Sequence, residues 1–278
     1  MPAPVLAFDP AGLDVAPNDE RFASFVARVD SLTLANLTDR LGATYGDRTA
    51  FIFEEPMGLP DAPGTTVSFA QLAAVVRRAT TVLQDLGVGR GDRVALCTRN
   101  RMELAVAEWA TVRAGGVAVP IGARLPPDEI VRLLEDSGAR CLVADRWVLE
   151  NPLAGRTLPV ATRLVVDGTA PIDGAASFAR LLAATTDGAP AADVADDELA
   201  VVFYTSGTTG RAKGVMLTHG NLMFATRNTL RTFAMGPPGR MLGLMVMPLA
   251  NTSGHQGLLL SIARATSVIV LDRFDPDA

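Results

Sequence analysis

The chain has 278 residues, 49% of them hydrophobic, enough for a sizeable core in one large domain or two lobes. A net charge of −5 with no basic run argues against nucleic acid and anionic membrane as partners. No basic segment followed by an apolar core opens the chain and no run reaches membrane-spanning length, so a cytoplasmic location is the default expectation.

Residues 1–30, rich in Ala, Pro and Asp, read as a loosely held leader. A helix is expected over about 34–41, then a turn and strand over 47–53, and a Pro/Gly-rich loop from Pro56 to Gly64. Ser68 with Gln71 three places on forms a capping box. Phe69, Leu72, Val76, Ala79, Leu83 and Leu86 then recur at helical spacing until Gly87.

Asp92–Cys97 reads as a strand, Asn100 as the cap of a helix through Ala114, and Gly116–Pro120 as another strand. A helix from Pro126 to Glu135 and a strand over Arg140–Ala144 follow. This alternation predicts an α/β fold of right-handed βαβ units on a parallel sheet. The two cysteines, Cys97 and Cys141, lie far apart in apolar contexts and read as buried small hydrophobes. Between Ala183 and Glu198 the composition turns to Ala, Asp, Pro and Gly, which marks a linker. A first lobe over 31–190 and an incomplete second lobe over 191–278 are expected.

The apolar run Leu199–Tyr204 predicts a buried strand. It opens into Thr205, Ser206, Gly207, Thr208, Thr209 and Gly210, where hydroxyls alternate with glycines whose backbone N–H groups a ligand can approach. Lys213 follows, and it is the one lysine among 25 Lys+Arg. A compact ammonium on a flexible stem suits a phosphate that moves during reaction, where a guanidinium suits a fixed planar partner. The pattern is not a Walker A loop, which Gly214 rules out by standing where Ser or Thr is required after the lysine.

These residues, Tyr204 through Val215, resemble the phosphate-binding signature of the adenylate-forming superfamily of acyl- and aryl-CoA synthetases, luciferases and peptide-synthetase adenylation domains. Ala212 stands where that family usually has proline. Gly91–Leu96 and Ala114–Pro120 are similar to the family's amino-terminal lobe, so the likeness runs from about Leu34 to the end. It implies ATP, Mg²⁺ and coenzyme A or a carrier-protein thiol as co-substrates and cofactors, and a small carboxylic acid as substrate. It places Thr205, Ser206, Gly207, Thr208, Thr209, Gly210 and Lys213 on the nucleotide's phosphates.

His219, within Thr218–Asn221 at the mouth of a helix to about Phe233, is as fit to satisfy the helix end as to touch nucleotide and receives no catalytic role. With His255 it completes the histidine inventory, so no histidine-rich metal site is expected and any metal would be a hard cation travelling with phosphate. Met241–Met247 reads as a buried strand, and the next loop puts Ala250 and Asn251 where the family carries an aromatic and a histidine beside the carboxylate substrate. Asn251 and Thr252 are the candidate substrate residues, with ordinary turn chemistry as the alternative. No acid lies between Pro248 and Gly257, which disfavours an amino-acid substrate.

After a strand over Thr266–Leu271, Asp275–Pro276 reads as a helix start without its helix, which suggests a fragment. The family's adenine-contacting acidic motif, ribose-binding aspartate and adenylation lysine would all lie past Ala278, so no catalytic residue is assigned within the chain. Two other readings remain: a non-catalytic nucleotide-binding or interaction module, and a dinucleotide enzyme, which lacks G-x-G-x-x-G after an early strand.

Overall fold

The computed structural model describes residues 20–56, 59–168, 170, 172, 174–186, 188–205, 212–236 and 241–272. The chain begins α1 (Glu20–Asp30), α2 (Leu37–Tyr45), β1 (Thr49–Phe53), β2 (Thr66–Ser68), α3 (Phe69–Asp85) and β3 (Arg93–Cys97). It continues α4 (Met102–Arg113), β4 (Val117–Pro120), α5 (Pro127–Ser137), β5 (Cys141–Ala144), α6 (Arg146–Glu150), β6 (Thr162–Val165), β7 (Ala176–Ser177) and α7 (Phe178–Ala184). Last come β8 (Leu199–Thr205), β9 (Lys213–Thr218), α8 (His219–Thr232), β10 (Leu242–Met245), α9 (Thr252–Ala263) and β11 (Ser267–Val270).

The expected capping box forms, and α8 carries a second. Ser68 accepts from the Gln71 N–H while the Gln71 side chain returns to Ser68, and Thr218 and Asn221 do the same for α8. Asn100 does not cap α4. That helix starts at Met102, and the Asn100 amide turns to distant backbone. The first expected helix shifts to α2, because Thr33 and Asn36 exchange hydrogen bonds ahead of it and hold the chain out of helix. Residues 20–30 are not part of a loose leader. Phe25 and Val29, one turn apart, bury against Leu230 of α8, and the Arg28 guanidinium lies 5.0 Å from the Phe25 ring centre.

The strands form a seven-stranded sheet, β7-β6-β5-β3-β4-β8-β9, and a four-stranded sheet, β10-β11-β1-β2. Neighbours are parallel except for the β1–β2 and β8–β9 pairs. The expected division near residue 190 therefore follows no sheet boundary. β8 adds beside β4 because Ala200, Val201 and Phe203 bury in the core that Val94 and Leu96 of β3 also enter. β1 in turn waits for β11, pairing Phe51 with Val268.

α4 lies between the sheets. All twelve of its residues are buried, which explains why it is apolar around most of its circumference, and its Trp109 ring stacks on Phe51 of β1 at 5.9 Å. α5 covers the other face of the large sheet through Ile130, Leu133 and Leu134. Cys97 and Cys141 are free and buried; burial raises both thiols, Cys141 to about 12, so neither is a nucleophile. β10 departs from expectation. It is an edge strand with Leu244 61% exposed, since an apolar run reads the same whether a neighbour covers it or not.

Candidate functional site

β8 runs parallel to β4 and ends at Thr205, which is exposed and stands opposite exposed Lys213, the first residue of β9. The hairpin is held by its backbone ladder, from Val201↔Leu217 to Thr205↔Lys213. It is also tied to α5, where the Tyr204 hydroxyl donates to Asp136 Oδ2 at 2.7 Å. Partial burial, together with that carboxylate, raises the Tyr204 phenol, which stays protonated and donating. The expected phosphate-binding residues Ser206, Gly207, Thr208, Thr209 and Gly210 lie outside the described residues.

Asn251 belongs to a different wall. A cavity of about 240 Å³ is lined by Thr98 and Asn100 after β3, Leu125 after β4, and Pro248, Ala250 and Asn251 after β10. It therefore lies at the carboxyl ends of strands from both sheets, the end at which open α/β sheets place their ligands. Asn251 is exposed and precedes α9, but its side chain makes no capping bond, so turn chemistry does not occupy its amide. Thr252 is exposed as the first residue of α9, and neither it, Thr205 nor Lys213 lines this cavity.

Side chains from β3's exit hold the seam between the sheets. Arg99 donates its backbone N–H to Asp145 Oδ2 at 2.7 Å and its guanidinium to Asp272 at 3.0 Å, past the end of β11. Asn100 Oδ1 accepts from the Leu249 N–H at 2.8 Å, and its Nδ2 donates to the carbonyls of Met247 and Leu271 at 3.0 and 3.1 Å. Burial raises the Asp145 carboxyl, opposed by the Arg99 N–H and the guanidiniums of Arg101 and Arg99. Burial likewise raises Glu103, opposed first by Arg101.

Beneath the wall, His255 of α9 approaches Glu108 of α4, Nε2 to Oε1 at 2.5 Å, both buried, with the imidazole edge-on to Phe203 of β8. Sequence reading missed this pair. Glu108, mid-helix amid the apolar residues of α4, was the available signal, because a carboxylate in a helix buried all round needs a partner. His219 is also buried, and burial lowers its imidazole, with Glu198 and Asp196 opposing. Neither of its ring nitrogens has a partner among the described residues.

A profile of AMP-binding enzymes matches residues 38–278. The chain belongs to the AMP-binding enzyme family. A long-chain-fatty-acid–CoA ligase of Mycobacterium tuberculosis is 31% identical over 217 residues, covering 77% of this chain and 42% of that protein. A 3-hydroxybenzoate/4-hydroxybenzoate–CoA ligase of Thauera aromatica is 31% identical over 236 residues, 84% of this chain and 43% of that one. The crystal structure of a long-chain-fatty-acid–CoA ligase of Archaeoglobus fulgidus superposes with a TM-score of 0.77 at 22% identity, over 88% of this chain and 48% of the other, a likeness of fold.

The chain thus spans less than half the length of these AMP-binding relatives. The resemblance read from Tyr204–Val215 and the expected α/β fold are both borne out. No helix among the described residues is long and apolar enough to cross a membrane.

Proposed function

We propose that this chain is the amino-terminal part of an ATP-dependent acyl-CoA synthetase that activates a carboxylic acid, fatty or otherwise acyl, as its adenylate before thioester formation. In that reaction a carboxylate oxygen attacks the α-phosphorus of ATP and the bond to pyrophosphate breaks. The thiol of coenzyme A, or of a carrier protein, then attacks the acyl carbon and releases AMP. The observation that carries the reading is Lys213, exposed opposite Thr205 where β8 and β9 open at the carboxyl end of the parallel sheet.

An ammonium and hydroxyls at that mouth supply what a pyrophosphate leaving group needs, which is positioned charge and hydrogen-bond donors. Thr205, Ser206, Gly207, Thr208, Thr209, Gly210 and Lys213 take that role in this reading. Asn251 and Thr252 take the acid. Among the described residues no group of three His, Cys, Asp or Glu side chains is placed to hold a metal ion. In this reading Mg²⁺ is a hard cation that travels with the triphosphate.

ATP–pyrophosphate exchange with a panel of fatty, aryl and short-chain acids tests the proposal, on this chain and on a polypeptide extended past Ala278. Exchange by the extended chain alone supports it. Exchange by neither favours the alternative, a nucleotide-binding or interaction module without catalysis, which the chain's share of its relatives' length keeps open. In the active protein Lys213→Ala should lower exchange by about 10²-fold, the effect of losing one positioned donor. Unchanged exchange kinetics would remove Lys213 from the site.

A further inference from the structure

The loop from Val246 to Asn251 forms one wall of the 240 Å³ cavity through Pro248, Ala250 and Asn251. It leaves a sheet-edge strand and has little to hold itself. Its internal backbone bond runs from the Asn251 N–H to the Pro248 carbonyl, just before α9. Besides the Leu249 side chain, which is buried in the core, what fixes it comes from the other sheet. The Asn100 amide accepts from the Leu249 N–H and donates to the Met247 carbonyl, and its second N–H reaches the Leu271 carbonyl beyond β11.

We infer that Asn100 is a positioning residue for acid recognition: it clamps the Met247–Asn251 wall and the exit of β11 to the end of β3. It acts through the wall, so it sets where Ala250 and Asn251 stand without supplying chemistry itself. The inference rests on the proposed function for the identity of the ligand as an acid; the clamp itself rests on the three hydrogen bonds. An amide is needed here. Its one carbonyl oxygen and two N–H groups match one N–H and two carbonyls, whereas the isosteric carboxylate of Asp would set oxygen against both carbonyls. The wall is also braced from behind, since Gly254 packs so tightly that a Cβ there would stand 2.2 Å from the Pro248 oxygen.

Hydrogen exchange read by mass spectrometry on this chain tests the clamp without requiring activity. In the unsubstituted protein the Leu249 N–H should exchange at least about tenfold more slowly than that of Ala250, which has no backbone partner among the described residues. Equal rates overturn the inference, and this comparison needs no variant to fold. Asn100→Ala and Asn100→Asp should each speed Leu249 exchange about tenfold while amides of β3 and β4 hold their rates. An Asp variant that keeps exchange slow overturns it too, because an acceptor for the Leu249 N–H would then suffice without the two donated bonds.

In an active, extended protein both variants should raise KM for the acid about tenfold and leave KM for ATP within about twofold. An equal rise in both overturns the positioning role. If no acid supports exchange even in the unsubstituted protein, yet Leu249 responds as described, the acid-activating reading fails and the clamp stands.

Discussion

The two walls at the carboxyl ends of the sheets are built by opposite means. The β8–β9 hairpin is set by a backbone ladder that pairs Thr205 with Lys213 and leaves both side chains in solvent. The β10–α9 wall has almost no ladder and is set by side chains reaching in from α4 and from β3's exit. A ladder tolerates changes of side chain, because its bonds belong to every residue type but proline. A wall hung on a few buried side chains does not, so substitutions of similar size should have very different consequences on the two sides.

The sharpest way to break the second wall is His255→Ala, which strands Glu108 among apolar neighbours and should cost about 3–5 kcal/mol in urea unfolding. The double change Glu108→Leu, His255→Phe should recover most of that, because it removes both polar groups together. Gly254→Ala forces a methyl onto the Pro248 carbonyl and should cost about 1–3 kcal/mol by thermal unfolding. On the hairpin side, Tyr204→Phe removes one hydrogen bond to an exposed carboxylate and should cost at most about 1 kcal/mol. Lys213→Ala should leave stability within about 0.5 kcal/mol, whatever its effect on exchange. A large loss of stability there would show that the hairpin depends on its side chains after all.

The histidine at the base of the hairpin adds a pH signature. Burial lowers the His219 imidazole from its usual 6.5, so the unfolded chain binds more protons than the folded one just below that value. Its contribution to stability is complete above pH 6.5 and is lost as pH falls toward the lowered folded value. Denaturant midpoints measured between pH 5 and 7 should fall with acidity, and His219→Gln should flatten the slope.

Local chemistry made much of this legible. The capping pair Ser68/Gln71, the periodic face of α3 and the apolar strand β8 each act within one or two turns of chain, and all form as read. What could not be read were partnerships between distant residues. Nothing near Leu199 says that β8 will join β4, and nothing in Met241–Met247 says that the run lies at an edge. Asn100 shows the limit clearly. Its amide is as competent to cap a helix two residues away as to bind Leu249, and only the fold decides between them. The candidate phosphate residues rest on hydroxyl, glycine and lysine chemistry in the sequence, whereas the wall's dependence on Glu108 and His255 required coordinates.

The pairing of Phe51 with Val268 also bears on how the protein is made. During synthesis β1 leaves the ribosome more than 200 residues before its parallel neighbour, with only the short β2 to pair with in the interval. The nascent chain must carry Phe51 and Phe53 uncovered on their β11 side throughout that time, an invitation to premature association. Closing so long a loop also makes for a high contact order, so slow refolding and reliance on chaperones during translation are expected of this polypeptide.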